Sequence, residues 1–466
     1  MKGLTMRTLA EACGGILFTG ENPAEADREI ESITTDSRRA EPGCVFAAIP
    51  GERTDGHLYI PQVCEKGAAG VIAEREVPGV RGCWIRVNNT IRALGDIAQF
   101  YRQNLGIPAV GVTGSVGKTS TKETLAAVLN QKYRTLKTAG NFNNDLGLPL
   151  TIFRLQPEDE MAVLEMGINH FGEMHRLAQI ARPDICVITN IGECHLEYLG
   201  NRDGVLAAKS EIFDYLNGKG HIVLNGCDDK LVQIREANGV KPVFFGIAGE
   251  EAPGCPGLDV WADQLQPLGL KGIACRIHAK SGSFEVTVPI PGKHMVMNAL
   301  AAAAVGVICG LSSDQIKAGI ESLQSVGGRF NLIEANGLTI VDDCYNANPM
   351  SMTASLGIMK DADGVKRKVA ILGDMGELGS DEIAMHEKVG AVAAGSGLDL
   401  LITVGRLSTH LAAACRDKAP EVANLHFDTL EELFEQIDQL IVPGDAVLVK
   451  ASHSMQFDRI VNRLKE

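Results

Sequence analysis

The sequence lacks the apolar segments that would place it in or across a membrane. Its longest apolar stretch, Ala299–Gly310, is shorter than the roughly 20 residues that span a bilayer. The first residues, Met1–Arg7, lead into Glu11 without the apolar segment of a secretory signal. We therefore predict a soluble, cytoplasmic protein that does not insert into membranes.

Basic charge and paired cysteines are also scarce. The formal net charge is −14, whereas a general nucleic-acid binder needs basic surface to displace counterions. We expect no nucleic-acid partner. None of the twelve cysteines forms a C-x-x-C pair, so neither a zinc ribbon nor a thioredoxin-type redox pair is predicted. Reduced thiols in cores and strands are expected instead.

What is present is the composition of a multidomain globular protein. The chain has 466 residues, of which 45% are hydrophobic. A length of about 100–200 residues per domain gives between two and four domains. Because three regions differ in pattern, we predict an α/β protein with a small α/β N-terminal domain at 1–87, a central P-loop ATPase-like parallel-sheet domain at 88–318, and a Rossmann-like C-terminal domain at 319–466.

The α/β prediction rests on short β-rich runs. These runs alternate with amphipathic helical patterns, which is typical of parallel sheets. A helical stretch at 92–103 follows the first region and links it to the next domain, and the segment 259–289 in the second region alternates like antiparallel strands. The predicted strands are Val45–Ile49, Gly70–Ala73, Cys83–Val87, Val110–Thr113, Met161–Glu165, Cys186–Thr189, Ile222–Leu224, Leu338–Val341, Val369–Leu372, Leu400–Val404 and Ala446–Val449.

The most specific pattern is a glycine-rich loop between a β-rich run and a helical pattern. Residues 113–119 read T-G-x-x-G-K-T, and Val112 stands where the fuller motif has its leading glycine. In such a loop the backbone amides and the helix N-terminus bind phosphate, the lysine reaches the outer phosphates and the next hydroxyl binds Mg²⁺. We predict a nucleotide-phosphate site formed by Thr113, Gly114, Ser115, Val116, Gly117, Lys118 and Thr119.

Three residues further along the chain are candidates for metal binding. Glu165 ends an apolar run, where an unpaired charge is costly, so it is either a Mg²⁺ ligand or a cap or ion-pair partner. His195 follows the next strand-like run and is either a metal ligand or a structural histidine. Lys209 lies in an amphipathic helical pattern, which by itself indicates a solvated surface lysine.

Together with further motifs, these residues resemble the Mur ligase family over essentially the whole chain. The resembling segments are T-D-S-R at 35–38, G-E-R-T-D-G-H at 51–57, 138–149, 292–302, and G-R-F at 328–330. The motifs D-D-x-Y-N-A-N-P at 342–349 and L-G-D-M-G-E-L-G at 372–379 are similar to those of the branch that joins D-alanyl-D-alanine to UDP-N-acetylmuramoyl-tripeptide. The D-N-P-R-type motif of the branch that adds the third amino acid is absent. Ala451 and His453 depart from the V-K-G-S-R-S motif, so no role is carried over to them.

The resemblance implies an ATP-dependent ligase that makes the UDP-muramoyl-pentapeptide of peptidoglycan synthesis. The peptide carboxylate would be phosphorylated by ATP, and the amine would then displace phosphate from the acyl carbon. Lys118, Lys209, His195 and Glu165 would be catalytic. Two Mg²⁺ ions would be held by Thr119, Glu165, His195 and Lys209, with Lys209 carbamylated, because a carbamate faces Mg²⁺ as an anion whereas an ammonium would repel it.

The resemblance also assigns binding roles, and some of them keep an alternative. Asn298, Arg329 and Asp343 would contact the nucleotide. The UDP-sugar would contact Ser37, Arg38, Asp55 and His57, although Asp55-Gly56 is also a common turn dipeptide. Asn346 and Asn348 either hold D-alanyl-D-alanine or brace their loop through Asn turns. We expect UDP-N-acetylmuramoyl-tripeptide and D-alanyl-D-alanine as partners of a monomer.

Three competing interpretations are weighed against this one. Folylpolyglutamate synthase belongs to the same superfamily, but it has no equivalent of the N-terminal T-D-S-R and D-G-H segments. A nucleotide-driven switch or motor would also carry a phosphate loop, and the missing leading glycine and the spacing of His195 and Lys209 disfavour it. A catalytically dead binding module would have lost a ligand residue, and every expected one is present.

Overall fold

The computed structural model describes residues 1–20, 22–51, 54–76, 80, 82–280, 282–325 and 327–466. Within them the chain forms three sheets, of five, nine and six strands. Each sheet lies inside one of the three predicted regions, and the α/β architecture is confirmed. All the strands predicted from the sequence are found, with ends that differ by at most a few residues. The boundaries at 87 and 318 stay predictions.

The N-terminal sheet has the strand order β1-β5-β4-β3-β2, and only β1 runs antiparallel to its neighbour. The helix predicted at 92–103 is α3, which Asn89 caps through the amide of Arg92 and which ends at Gly106 in the left-handed conformation. The elements are α1 (Met6–Cys13), β1 (Ile16–Phe18), β2 (Ser32–Thr34), β3 (Cys44–Ala47), α2 (Ile60–Glu65), β4 (Gly70–Ala73), β5 (Cys83–Arg86) and α3 (Thr90–Leu105).

The central sheet has the order β14-β13-β12-β11-β10-β9-β6-β8-β7. It is parallel from β7 to β12, and the last three strands are antiparallel, as the alternation at 259–289 predicted. The elements are β6 (Ala109–Thr113), α4 (Lys118–Leu129), β7 (Thr135–Lys137), α5 (Gly147–Ile152), β8 (Met161–Glu165), α6 (Glu173–Ala181), β9 (Ile185–Ile188), α7 (Leu196–Leu199), α8 (Arg202–Ser210), β10 (His221–Asn225), β11 (Pro242–Ile247), β12 (Val260–Pro267), β13 (Ile273–Ala279), β14 (Gly282–Val288), α9 (Lys293–Ile308) and α10 (Ser313–Glu321).

The C-terminal sheet has the order β15-β16-β20-β17-β18-β19, with β15 antiparallel at one edge and the other strands parallel. Parallel strands flanked by helices match the predicted Rossmann-like pattern. The elements are β15 (Asn331–Ala335), β16 (Leu338–Asp342), α11 (Pro349–Lys360), β17 (Arg367–Gly373), α12 (Glu382–Ala394), β18 (Leu400–Val404), α13 (Ser408–Lys418), β19 (Ala423–Phe427), α14 (Leu430–Phe434), α15 (Ile437–Leu440), β20 (Asp445–Lys450) and α16 (Asp458–Lys465).

The packing has two features that hold the candidate site in place. One hydrophobic cluster joins the N-terminal domain to the central one, since Leu9 and Ile85 belong to it together with Leu148 and Leu177. The alanine-rich run at 299–310 lies mostly in α9, whose alanines are buried. Small side chains let α9 pack closely, and it contacts α4, the helix that begins at the phosphate loop.

The structure also bears on the predicted absence of membrane segments. Within the described part of the chain, no helix combines the length and apolarity needed to cross a membrane. All twelve cysteines are free thiols, as predicted.

Candidate functional site

Strand β6 ends in the glycine-rich loop, at the point in the sheet where the strand order reverses. In open α/β sheets ligands bind at this position, beyond the carboxyl ends of the strands. Gly114 has φ +151°, and a Cβ there would lie 1.9 Å from Thr189 Oγ1, so the loop requires glycine. Gly117, with φ +82°, leads directly into α4, whose first amides have no partner within the helix.

Hydrogen bonds to the next strand end hold the loop in place. The amide of Ser115 donates to the carbonyl of Asn190 (3.0 Å), and the amide of Val116 donates to Asn190 Oδ1 (2.9 Å). Lys118 Nζ donates to the carbonyl of Gly114 (2.8 Å). Asn190 was not predicted as a site residue, although it follows directly on a predicted strand end. With two loop amides already engaged, the α4 N-terminus and Lys118 are left to meet an anion.

Glu165 ends β8, next to the phosphate loop. It is 1% exposed, and its Oε1 accepts hydrogen bonds from Thr119 Oγ1 (3.1 Å) and Asn143 Nδ2 (2.9 Å). Among the described residues its Oε2 has no hydrogen-bond partner, and Lys122 Nζ lies 3.7 Å away as a loose ion pair. Sequence reasoning missed Asn143 and Lys122, because neither stands at a predicted strand end. A buried carboxylate oxygen without a partner beside a hydroxyl suits a hard cation.

Lys209 is fully buried, so the alternative of a solvated surface lysine is wrong. Its Nζ has no hydrogen-bond partner in the structure. Burial lowers the pKa of Lys209 to about 8, and the positive charge of nearby Lys118 acts in the same direction. The amine therefore becomes neutral, and nucleophilic, at a lower pH than that of an exposed lysine.

His195 lies between the central and C-terminal domains. It precedes α7 with φ +52°, an unusual conformation for a residue other than glycine. Its Nδ1 is 2.8 Å from Oε2 of Glu377, although Nδ1 lacks the alignment of a hydrogen bond. The ring holds the pKa of the Glu377 carboxyl below its usual range.

The residues predicted to contact the nucleotide come from the central domain and the C-terminal domain. Asn298, on α9, lies against the phosphate loop, where its Oδ1 accepts from Thr121 Oγ1 (2.9 Å). Arg329 stacks over the ring of Tyr345, 4.2 Å from its centroid. Asp343 accepts hydrogen bonds from Lys450 Nζ and Ser355 Oγ, each at 2.6 Å. Lys450 is 2% exposed and was not predicted as a site residue.

Asn346 and Asn348 both make hydrogen bonds within their own loop. Asn346 Oδ1 accepts from the amide of Ala347 (2.9 Å). Asn348 is the N-cap of α11 and accepts from the amide of Ser351 (2.9 Å). These contacts support the loop-bracing alternative, while both residues also line the cavity described next.

One cavity of about 940 Å³ lies between the central and C-terminal domains. Its size would accommodate a nucleotide with part of a second substrate. The predicted residues Thr113, Gly114 and Lys209 are not part of its lining, and Lys209 is buried near Lys118. The predicted residues that line it are Ser115, Val116, Gly117, Lys118, Thr119, Glu165, His195, Asn298, Arg329, Asp343, Asn346 and Asn348.

The four predicted sugar-site residues lie apart from this cavity, on the N-terminal domain. Asp55 binds Nδ1 of His57 (2.7 Å) and pairs with Arg75. The other ring nitrogen of His57 accepts from the amide of Glu74 (3.1 Å). His57 is 4% exposed, so it braces Asp55 and has no free ring nitrogen for a ligand.

The second pair of sugar-site residues follows strand β2. Arg38 donates from Nε and Nη2 to the carboxylate of Asp36 (2.9 and 2.8 Å), and it lowers the pKa of that carboxyl to about 2. Ser37 begins a short 3-10 helix, and its carbonyl accepts from Lys66. In the G-E-R-T-D-G-H segment, Glu52 and Arg53 lie outside the described residues.

Comparison with known proteins identifies the family over three segments. Residues 29–102 match the catalytic domain of the Mur ligase family, residues 112–306 match the Mur ligase middle domain, and residues 328–453 match the Mur ligase glutamate ligase domain. The chain is 36% identical to the UDP-N-acetylmuramoyl-tripeptide--D-alanyl-D-alanine ligase of Bacillus subtilis, with 99% of this chain and 98% of that protein covered. It is 35% identical to the ligase of the same name from Escherichia coli, with 95% of each covered.

Solved structures agree with the sequence relatives. A crystal structure of MurF from Acinetobacter baumannii superposes with a TM-score of 0.88 at 34% identity and covers 99% of this chain and 98% of its own. The MurF ligase of Thermotoga maritima in complex with ADP superposes with a TM-score of 0.81 at 29% identity, covering 93% of this chain and 97% of its own. The chain belongs to the Mur ligase family.

Proposed function

We propose that this chain uses ATP to ligate D-alanyl-D-alanine to UDP-N-acetylmuramoyl-tripeptide, giving the UDP-muramoyl-pentapeptide of peptidoglycan synthesis. The full-length similarity to ligases named for this reaction supports the substrates. The observation that carries the proposal is the single cavity in which the phosphate loop, Glu165 and His195 meet Arg329 and Asp343. ATP fits the loop, and a ligase of the same family has been solved with ADP.

The chemistry explains why a nucleotide is needed. A carboxylate is a poor electrophile, so the peptide carboxylate oxygen first attacks the γ-phosphorus, the bond to ADP breaks and an acyl phosphate forms. The amine nitrogen then attacks the acyl carbon, the carbon–oxygen bond breaks and phosphate leaves. Positioning and charge neutralisation supply most of the rate enhancement for phosphoryl transfer.

The phosphate loop performs the positioning on the nucleotide side. Lys118 and the first amides of α4 would hold the outer phosphates. Asn298 lies at the base of the loop and would contact the nucleotide. Arg329 and Asp343 would close on it from the C-terminal domain, and Lys450 holds Asp343 in its orientation (2.6 Å).

The contacts of Glu165 and Thr119 suit one Mg²⁺ ion, and we propose a second. Glu165 offers a buried carboxylate oxygen without a partner, and the Thr119 hydroxyl lies 3.1 Å from its other oxygen. These two residues would hold one ion, and His195 with a modified Lys209 would hold a second. When bound, Mg²⁺ would neutralise phosphate charge during the transfer.

Carbamylation of Lys209 fits its surroundings. An ammonium that is fully buried without a hydrogen-bond partner is costly. The lowered pKa of the amine favours the neutral form that reacts with CO₂. The product is a carbamate anion, which would face a cation in place of a repelling ammonium.

The other substrates would lie on the flanking domains. Ser37, Arg38 and Asp55 would contact the UDP-sugar, with His57 holding Asp55 in place. The dipeptide would enter from the C-terminal domain, near Asn346 and Asn348. We also propose the domain ranges 1–87, 88–318 and 319–466 as the units that carry these three roles.

Phosphate release from ATP and Mg²⁺ tests the function. The tripeptide substrate and D-alanyl-D-alanine are added singly and together, and the product is weighed by mass spectrometry. We expect release to require both substrates and to match pentapeptide formation one for one. Release with neither substrate present would instead support a nucleotide switch, and absence of release with both would overturn the assigned substrates.

A further inference from the structure

The loop that follows strand β17, residues 374–378, is held by hydrogen bonds at the edge of the cavity. The amide of Met375 donates to Nε2 of His386 (3.0 Å), a fully buried side chain whose Nδ1 bonds the carbonyl of Glu382 (2.7 Å). The amide of Gly376 donates to Ser452 Oγ (2.7 Å). The residue that this loop presents to the cavity is therefore fixed before any ligand arrives.

That residue is Glu377, which has φ +59°. A residue other than glycine in this conformation is strained, and such strain is retained where the surrounding structure imposes it. The carboxylate is 55% exposed and crosses the cleft to His195, at 2.8 Å, without hydrogen-bond alignment at Nδ1. More than half of this side chain is therefore open to a ligand in the cavity.

The other acidic side chain that the C-terminal domain contributes to the described lining is Asp343. Its two oxygens already accept from Lys450, Ser355 and the amide of Phe330. Glu377 is therefore the carboxylate on this side of the cavity that is available to a ligand. The same space is lined by the cations Lys118, Arg329 and Lys450, while its further carboxylates, such as Glu165 and Glu193, belong to the central domain.

We propose that Glu377 binds the ammonium group of the incoming dipeptide and so selects an amine for the acyl group. This inference rests on the proposed function. The α-amino group of a dipeptide is largely protonated at neutral pH, and an ammonium that leaves water for the cavity needs a carboxylate partner. Glu377 meets that need, on the domain opposite the phosphate loop, and the ammonium takes the place that His195 occupies in this structure.

Glu377→Gln keeps the shape of the side chain and removes its charge, and it is the variant that tests the inference. The matched control is Glu387→Gln, an exposed carboxylate on α12. Two quantities are measured: the steady-state KM values for the three substrates, and the exchange of label between ADP and ATP that depends on the tripeptide substrate without any amine. Exchange reports the first step alone, and its retention shows that the variant is folded.

We expect Glu377→Gln to raise the KM for D-alanyl-D-alanine about 10- to 100-fold, the size of a lost charge-assisted hydrogen bond. The KM for the tripeptide substrate and the exchange rate should stay close to those of the unaltered chain and of Glu387→Gln. An unchanged KM for the dipeptide would overturn the inference, as would a parallel loss of exchange, which would place Glu377 in the first step. If the unaltered chain itself joined no dipeptide to the tripeptide substrate, the proposed function would fail instead.

Discussion

The Thr119 hydroxyl donates a 3.1 Å hydrogen bond to Oε1 of Glu165, across 46 positions of the chain. The bond joins the first turn of α4 to the carboxyl end of β8. It places a hydroxyl and a buried carboxylate side by side at the mouth of the phosphate loop, and it brings together two of the four residues that the family resemblance implies as Mg²⁺ ligands.

Lys118→Ala should weaken ATP binding at least about tenfold, because it removes the loop cation that would meet the outer phosphates. Calorimetric titration with a non-hydrolysable ATP analogue measures the effect. Lys219→Ala, at an exposed position in the same domain, is the control and should leave the affinity unchanged. Equal affinity in the two variants would mean that the phosphate site is misassigned.

Gly114→Ala should also reduce ATP affinity by about tenfold or more, since a Cβ would lie 1.9 Å from Thr189 Oγ1 and the residue has φ +151°. The added methyl forces the loop away from its position. Gly357→Ala is the matched change: it lies in α11, where an added methyl group would meet no heavy atom within 4 Å. The ATP affinity of Gly357→Ala should equal that of the unaltered chain. If the ATP affinity of Gly114→Ala were also unchanged, the tight fit of the loop would be contradicted.

Lys209→Ala should nearly abolish ligation while leaving nucleotide binding in place, because the carbamate would be lost and the phosphate loop kept. Ligation rate and ATP affinity are measured on the same preparation. Full activity in this variant would remove the carbamate from the mechanism.

The carbamate itself should depend on pH in a predictable direction. Only the neutral amine reacts with CO₂, and the pKa of Lys209 is lowered from 10.5 to about 8. At a fixed concentration of dissolved CO₂, the fraction of carbamate should therefore rise as the pH is raised through about 8, well before exposed lysines become neutral. ¹³C NMR with labelled CO₂ follows the signal, and Lys209→Met should lack it. A signal that persists in Lys209→Met would assign the carbamate to another amine.

Asp343→Asn should destabilise the protein by about 3 kcal/mol, since it leaves the ammonium of Lys450 buried without its charged partner. The pair is 2.6 Å apart and the Lys450 side chain is 3% exposed. The melting temperature of Asp343→Asn should therefore be lower, as measured by calorimetry. The control is Asp363→Asn, which alters an exposed carboxylate. Equal melting temperatures would show that the pair contributes little.

The sequence predicted those parts of the fold that local pattern determines. The strands Met161–Glu165 and Leu400–Val404 are found with the predicted bounds, because long apolar runs ending in polar loops have few other solutions. The strands β1, β2, β7, β11, β15 and β19 were not predicted, and the first three have only three residues, too few to show a period. The antiparallel segment at 259–289 was recognised because its side chains alternate.

Site residues that belong to sequence motifs were predicted. Site residues that act through contacts between distant parts of the chain were not. The burial of Lys209 has no local signature, because its helix has the amphipathic pattern of a surface helix. Lys122 and Asn143 act on Glu165 through tertiary contacts, and Glu377 reaches His195 across the cleft. His57 was predicted to contact the sugar, and its burial shows instead that both ring nitrogens are engaged by the protein.

The central claim is that this site joins a carboxylate to an amine by first phosphorylating the carboxylate. The most direct measurement uses a tripeptide substrate whose terminal carboxylate carries ¹⁸O in both oxygens, incubated with ATP, Mg²⁺ and D-alanyl-D-alanine. The account predicts that the released phosphate contains one ¹⁸O atom for each pentapeptide formed, because the carboxylate oxygen that attacks phosphorus leaves with it. Released phosphate without ¹⁸O would contradict the account.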